Sequence, residues 1–170
     1  MMKNKTQSKA LRRKLELQTL AEKILKKHNL DASKDFYLKL SMPPYQDLVM
    51  EREGDIFIIG HYRENNGDLI SDPVLVFSCI QDKWLPLGIE QVLGDTVCAY
   101  FENEKRIVYQ DRIKEFRAFQ RTFAKNIREQ CWEKNGLKVQ SGLVCEVMFI
   151  GKDEPTPMKD ISMYANPNEK

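Results

Sequence analysis

The stretch that predicts most about the fold is residues 47–77, DLVMEREGDIFIIGHYRENNGDLISDPVLVF. Two turn signals, Glu53-Gly54-Asp55 and Asn65-Asn66-Gly67-Asp68, separate runs that are rich in β-branched and large apolar residues. Runs of this kind joined by glycine-containing turns are typical of antiparallel hairpins. The pattern therefore predicts a meander over residues 47–80, with three strands at about Asp47–Glu53, Ile56–Glu64 and Val74–Ile80.

Parts of this meander are apolar at consecutive positions and do not alternate. Phe57-Ile58-Ile59 lies in the middle strand and Val74-Leu75-Val76-Phe77 in the third. Continuous apolar runs indicate burial on both faces of a sheet. We therefore expect helices, or a second sheet, to cover parts of both faces.

Two longer segments have apolar residues at helical spacing. Residues 6–28 predict a basic first helix, whose apolar stripe includes Leu11, Leu15, Leu20, Ile24 and Leu25. Residues 111–133 predict a second helix, and its stripe is formed by Ile113, Phe116, Phe119, Phe123 and Ile127. Asn135-Gly136 is a standard signal for the end of that helix.

The remaining segments predict shorter elements. Candidate strands are Phe36–Leu40, a hairpin of Thr96–Phe101 with Lys105–Tyr109, and a last strand at Leu143–Ile150. Residues 151–170 contain three prolines and little to bury, which predicts a loosely ordered tail. The order of elements predicts an α+β fold: an antiparallel meander packed with the basic first helix and the long second helix, in a single domain over residues 1–150.

Composition indicates an ordinary globular chain of 170 residues, with 42% hydrophobic and 31% charged residues. No apolar run approaches the roughly 18 residues of a membrane-spanning helix, and no secretion signal is evident. The four cysteines are widely spaced without a C-x-x-C pair. We therefore expect a reduced, cytoplasmic protein with no membrane association and no metal. Phosphate-binding glycine motifs are absent, so no cofactor is expected.

A net charge of +2 conceals a strong segregation along the chain. Residues 1–29 carry nine basic and two acidic side chains, whereas residues 46–106 carry five basic and twelve acidic ones. Residues 111–135 are basic again, with seven against four. The segregation has two interpretations: an external acidic partner, or basic helices lying across an acidic rim of the sheet.

Both predicted helices carry a cationic face. On the second helix the basic residues stack at steps of four, four and three: Arg117, Arg121, Lys125 and Arg128. On the first helix the candidate binding residues are Arg12, Arg13, Lys23 and Lys27. Such a ribbon suits a phosphate backbone or an acidic protein surface, although a solvated helix face has the same composition. Nucleic acid is therefore a possible partner. No helix-turn-helix or zinc-finger pattern supports it, so this possibility depends on the cationic faces alone.

The meander also contains a set of polar residues with possible chemistry: Glu51, His61, Glu64, Asp68 and Asp72. A histidine with several carboxylates is able to hold a divalent cation or to supply a general base. Turn chemistry is the favoured explanation, because Asp68 and Asp72 adjoin Asn66-Gly67 and Pro73, where aspartate bonds the local backbone. His61 shares a strand face with Phe57 and Ile59, as a structural histidine would.

The residues around this meander resemble a family of uncharacterised domains found in bacteria and on their phages, plasmids and conjugative elements. The resemblance covers about residues 47–87 and rests on six short motifs: Glu51-Arg52, His61-Tyr62, Asn66-Gly67-Asp68, Asp72-Pro73, Val74–Phe77 and Trp84-Leu85-Pro86. It implies a mobile genetic element as the setting, where accessory and counter-defence factors act by binding host machinery. It assigns no catalytic residue.

Three functional hypotheses follow. The leading one is a non-enzymatic accessory protein of a mobile element that binds a host protein or nucleoprotein complex. The first alternative is a metal-dependent hydrolase or nuclease that uses Glu51, His61, Asp68 and Asp72. The second is a dimerising structural protein with Phe116, Phe119 and Phe123 at the interface. The sequence does not define the oligomeric state.

Overall fold

The computed structural model describes residues 13–142 and Tyr164. Three helices and nine strands are seen in this part of the chain. In chain order they are α1 (Glu16–Lys27), β1 (Phe36–Ser41), β2 (Leu48–Glu53), β3 (Ile56–Asn65), β4 (Asp68–Ile80), β5 (Lys83–Glu90), β6 (Thr96–Val97), β7 (Ala99–Glu102), β8 (Lys105–Val108), α2 (Gln110–Glu129), α3 (Trp132–Asn135) and β9 (Leu137–Gly142).

Seven of these strands form one antiparallel sheet in the order β6-β5-β4-β3-β2-β1-β9, and β7 and β8 form a separate hairpin. Each of the strands β1 to β5 pairs with the next, so the predicted meander is extended by β1 on one side and β5 on the other. The α+β fold predicted from the sequence is confirmed.

The helices cover one face of the sheet. Every second residue of β3 and β4 faces them, including Phe57, Ile59, Leu75 and Phe77, each of which is fully buried. The apolar stripes of α1 and α2 pack against these residues and complete the core. We call this side of the sheet the helix face.

The opposite face is also apolar over β3, β4 and β5, where Ile58, Val76 and Leu87 are buried. Residues of the β7–β8 hairpin and the side chain of Tyr164 pack against it. The consecutive apolar runs therefore have the cause expected from the sequence, which is burial on both faces.

Side-chain hydrogen bonds join the helices to one another at both ends of α1. The buried side chain of Gln120 in α2 accepts a hydrogen bond from the Leu17 backbone N–H at 3.0 Å, at the start of α1. Its amide nitrogen donates to Glu16 Oε2 at 2.7 Å. At the other end of α1, Lys27 Nζ donates to the backbone carbonyls of Glu133 and Lys134 at 2.6 and 2.8 Å.

Several observed boundaries differ from the predicted ones. The strand β4 begins at Asp68 and not at Val74, because a bulge accommodates Pro73 inside it. Gly60 pairs with Val74 and Tyr62 with Ser71, so His61 alone faces the two residues Asp72 and Pro73. The second helix ends at Glu129, and the short α3 follows it.

Some predictions concern residues outside the described part of the chain. These are the residues of the first helix before residue 13, the strand Leu143–Ile150, and the predicted tail apart from Tyr164. Residues 13–15 are described and are not helical, because α1 begins only at Glu16. None of the helices in the described residues has the length and apolarity needed to cross a lipid bilayer.

Candidate functional site

The first candidate site is a groove between α1 and α2 that we call the basic groove. Its cavity volume is about 250 Å³. It is lined by Arg13, Lys14, Glu16, Thr19, Leu20, Lys23, Arg128 and Glu133. The structure therefore brings together three of the predicted binding residues, Arg13 and Lys23 from the first helical segment and Arg128 from α2.

Helix packing explains why these residues converge. Leu17, Leu20 and Ile24 are buried and hold one side of α1 in the core. Thr19 and Lys23, which are adjacent to these positions on the helix, therefore lie at the border between α1 and α2. Gln120 fixes the start of α1 against α2 through the bonds to Leu17 and Glu16. Arg128 then projects from the last turn of α2 beside Lys23.

The charge of the basic groove is only partly neutralised. Lys14 Nζ lies 2.7 Å from Glu22 Oε2, and Glu16 Oε1 lies 3.7 Å from Arg121 Nε. The hydrogen bond from Gln120 is the main cause that lowers the pKa of Glu16, so this carboxylate stays ionised. Within the described residues, no ion pair engages Arg13, Lys23 or Arg128.

The other predicted cations have different surroundings. Arg121 and Lys125 are about two-thirds exposed and form ion pairs at 3.7 Å with Glu16 and Glu129, respectively. Exposed pairs of this kind contribute only about 0–1 kcal/mol, so both cations remain available to a partner. Arg117 is exposed near the start of the ribbon. Lys27 is engaged with the carbonyls of α3, and Arg12 lies outside the described residues.

The charges of the helices and of the sheet do not neutralise each other. The helices α1 and α2 carry nine basic and five acidic residues, whereas residues 36–108 carry six basic and twelve acidic ones. The ion pairs found between described residues stay within the helical layer or within the sheet. The layers meet instead through apolar side chains. Among the described residues, ion pairs between the two layers therefore do not neutralise the basic surface.

The second candidate site lies on the other flank of α2, and we call it the neutral groove. Its cavity volume is about 230 Å³. It is lined by His61, Pro73, Phe119, Thr122, Phe123, Asn126, Ile127 and Gln130, none of which is Lys, Arg, Asp or Glu. Thr122, Asn126 and Gln130 recur at steps of four and so form one polar row along the helix.

The bulge in β3 and β4 positions His61 in this groove. At Gly60 a Cβ atom would lie 2.2 Å from the Pro73 carbonyl oxygen, so only glycine permits this approach of the two strands. The His61 ring packs edge-on against Phe123 and lies 5.8 Å from the Trp132 ring. Its Nδ1 is 3.1 Å from the Asp47 carbonyl oxygen.

These contacts determine the tautomer and the protonation state of the His61 imidazole. An Nδ1–H that donates to Asp47 leaves Nε2 as the acceptor of a neutral ring. Burial lowers the pKa of His61, and the carbonyl contact opposes this only partly. His61 is therefore a neutral hydrogen-bonding group at neutral pH.

The four meander residues considered for catalysis do not converge. His61 lies on the helix face, whereas Glu51 pairs with Ile58 and points to the opposite face. Asp68 is exposed at the tip of the β3–β4 hairpin, and Asp72 lies in the bulge beside His61. No group of three or more His, Cys, Asp or Glu side chains suited to a metal is present in the described residues. The hydrolase alternative thus has no assembled site there.

Two of the three free cysteines in the described residues are buried. Cys79 and Cys98 are free thiols in the core. Burial raises the pKa of Cys79 to about 12 and that of Cys98 to about 11. Neither thiol is ionised at neutral pH, so neither is an activated nucleophile.

The aromatic stripe considered for dimerisation is divided between two environments. Phe116 and Phe123 belong to the core, with exposures of 0% and 6%. Phe119 is half-buried and lines the neutral groove. Two of the three side chains are therefore buried in the core and are not accessible to a second copy of the chain.

Sequence reasoning missed most of the neutral groove and part of the basic one. Thr122, Asn126 and Gln130 do carry a signal, because uncharged polar residues at steps of four are unusual on so charged a helix. Thr19 and Glu133 have no such sequence signal, because they line the basic groove only as a result of how the helices pack.

Comparison with known proteins places the chain in a family. Searches of curated proteins and of solved structures each found no match. A family model described as a domain of unknown function, DUF6908, matches residues 19–132. The match includes the meander, α2 and every residue that lines the neutral groove. Because it covers more than half of the 170 residues, the chain belongs to the DUF6908 family of domains of unknown function.

Proposed function

We propose that the protein is a non-enzymatic binding protein that holds a polyanionic partner against its helical layer. The observation that carries this proposal is the convergence of Arg13, Lys23 and Arg128 in the basic groove without ion-pair partners among the described residues. Cations held together in a concave surface attract anionic groups and release counterions when they bind them.

The setting of this function is part of the proposal. The resemblance of residues 47–87 to domains on phages, plasmids and conjugative elements supports an accessory role, including counter-defence. The partner is then a host protein or nucleoprotein complex in the bacterial cytoplasm. Free thiols at Cys79, Cys98 and Cys131 agree with a reducing compartment. The unassembled carboxylates of the meander support binding over hydrolysis.

Charge reversal in the basic groove tests the proposal. The variant Lys23→Glu/Arg128→Glu should bind polyanions at least about tenfold more weakly, because it removes two attractive contacts and adds two repulsive ones. The slope of log affinity against log salt should fall by about two, one for each lost phosphate contact. Fluorescence anisotropy with a labelled oligonucleotide and with polyglutamate, over a series of salt concentrations, measures both quantities.

The matched control is Lys83→Glu/Lys105→Glu, which changes the net charge equally. Both residues are exposed and lie outside the groove. The control should retain most of the affinity and the salt slope. Equal losses in the two variants would show that net charge alone matters, and they would reject the basic groove as the contact.

A further inference from the structure

The neutral groove has the chemistry of a pocket for an uncharged planar group. Its volume of about 230 Å³ equals roughly eight water molecules and is smaller than most drug-sized sites. Phe119 is half-buried in its wall, so part of an aromatic ring is open to contact. A single ring system matches both the size and this surface.

The polar side chains in the groove provide hydrogen bonds of both kinds. His61 Nε2 is an acceptor when Nδ1 donates to Asp47. Gln130 Oε1 accepts from Trp132 Nε1 at 2.8 Å, which leaves the amide nitrogen of Gln130 as a donor. Asn126 is exposed and offers one group of each kind. The edges of nucleobases present such mixtures of donors and acceptors.

The position of the neutral groove relative to the cations indicates which class of polyanion would fit. Arg121 and Arg128 lie on the side of α2 that faces α1, and Lys125 lies between them and the neutral groove, directly before Asn126 in the helix. Thr122 in the groove and Lys125 are three residues apart and are therefore neighbours on the helix surface. A single-stranded nucleic acid carries charged phosphates and neutral planar bases side by side. A chain of acidic residues such as polyglutamate has no aromatic ring to stack on Phe119.

We infer that the neutral groove binds one base of a single-stranded nucleic acid whose phosphates lie along Arg121, Lys125 and Arg128. The inference rests on the proposed function, because it assigns a chemical class to the polyanion. Phe119 supplies a stacking surface, while Asn126, Gln130 and His61 bond the edge of the base. The bulge at His61 and the glycine at position 60 thus serve to shape a base pocket.

The test compares an oligothymidylate with an abasic strand that has the same number of phosphates. The full-length protein should bind the oligothymidylate about tenfold more tightly at fixed salt, because stacking on an aromatic side chain favours the base. The variants Asn126→Ala and Phe119→Ala should lower that affinity to the level of the abasic strand. Both should keep the salt slope and the affinity for the abasic strand.

Asn126 is exposed, so its replacement leaves the fold intact even if Phe119→Ala reduces stability. Gln110→Ala, at an exposed position of α2 outside the groove, is the matched control and should bind like the wild type. Equal affinity for the two strands, or equal affinity for single and double strands, would overturn the base pocket and leave the basic groove in place. If the protein bound polyglutamate but neither the oligothymidylate nor the abasic strand, the base pocket would also be overturned and the basic groove would remain. No binding of any polyanion would reject both proposals.

Discussion

At the scale of single residues, the least expected feature is the carboxyl group of Glu51. Its side chain is fully buried on the face of the sheet opposite the helices. Neither carboxyl oxygen has a hydrogen-bond partner among the described residues. Burial, and to a smaller extent the charge of Glu53, raises the pKa of Glu51 from 4.5 to about 7. The folded protein therefore favours the neutral acid, as expected for a carboxyl group removed from water.

This shift makes folding depend on pH in a defined window. The unfolded chain releases the Glu51 proton above pH 4.5, whereas the folded chain holds it up to about pH 7. The stability that the neutral acid contributes is therefore present below pH 4.5 and is lost as the pH rises to about 7, by up to about 3 kcal/mol.

The variant Glu51→Gln should remove this dependence, because its amide does not titrate. Its free energy of unfolding should exceed that of the wild type by more at pH 8 than at pH 5. Urea denaturation at the two pH values measures the difference. Glu64→Gln, at an exposed position of β3, is the control and should show no such change. A constant difference between Glu51→Gln and the wild type at both pH values would contradict this account.

At the scale of elements, the orientation of α1 relative to α2 depends on Gln120. This side chain is 1% exposed and satisfies the Leu17 N–H in the first turn of α1. The first N–H groups of a helix have no partner within it, and no side chain caps α1 from its own N-cap position, Leu15. Gln120 thus acts as a cap supplied by another helix.

The variant Gln120→Ala should lower the free energy of unfolding by about 1–3 kcal/mol, because it leaves a buried N–H without a partner. It should also weaken polyanion binding, since Arg13 and Lys23 depend on the position of α1. Urea denaturation and anisotropy measure the two effects. The control Gln110→Ala should stay within about 0.5 kcal/mol of the wild type. Similar losses in both variants would show that Gln120 is not a cap.

Local signals explain which elements the sequence predicts. Apolar spacing predicts α1 and α2, and the two turn motifs predict β2 and β3, because each pattern is complete within a few residues. The start of β4 was not predicted, since Pro73 normally interrupts a strand and only the pairing with β3 reveals the bulge. The strand β5 was also missed, because Pro86 and Gly88 weaken its pattern.

The candidate sites were less predictable, for a related reason. The cations of α1 and α2 were identified from their spacing, but their convergence depends on contacts between distant parts of the chain. Gln120 lies at the spacing of the apolar stripe of α2, between Phe116 and Phe123, but its polar side chain predicts exposure. Glu51 likewise has the pattern of a solvent-facing residue in a strand. In each case long-range packing, and not local sequence, determines whether the side chain is buried.

At the scale of the whole molecule, the separation of charge predicts the kinetics of binding. The helical layer is basic and the sheet is acidic, so a polyanion is attracted to one side and repelled by the other. Electrostatic attraction of this kind mainly raises the association rate, and salt screens it over a Debye length of about 10 Å at 0.1 M.

The association rate for an oligonucleotide should therefore fall steeply between low and physiological salt, while the dissociation rate changes less. Neutralising the exposed hairpin tip with Glu64→Gln/Asp68→Asn should raise the association rate, because it removes repulsion from the acidic side without touching either groove. The variant Lys23→Glu/Arg128→Glu should lower the same rate. Stopped-flow measurements at two salt concentrations separate these effects. An association rate that is independent of salt would show that the charge separation does not direct the encounter, and the orientation of the bound strand would then depend on the grooves alone.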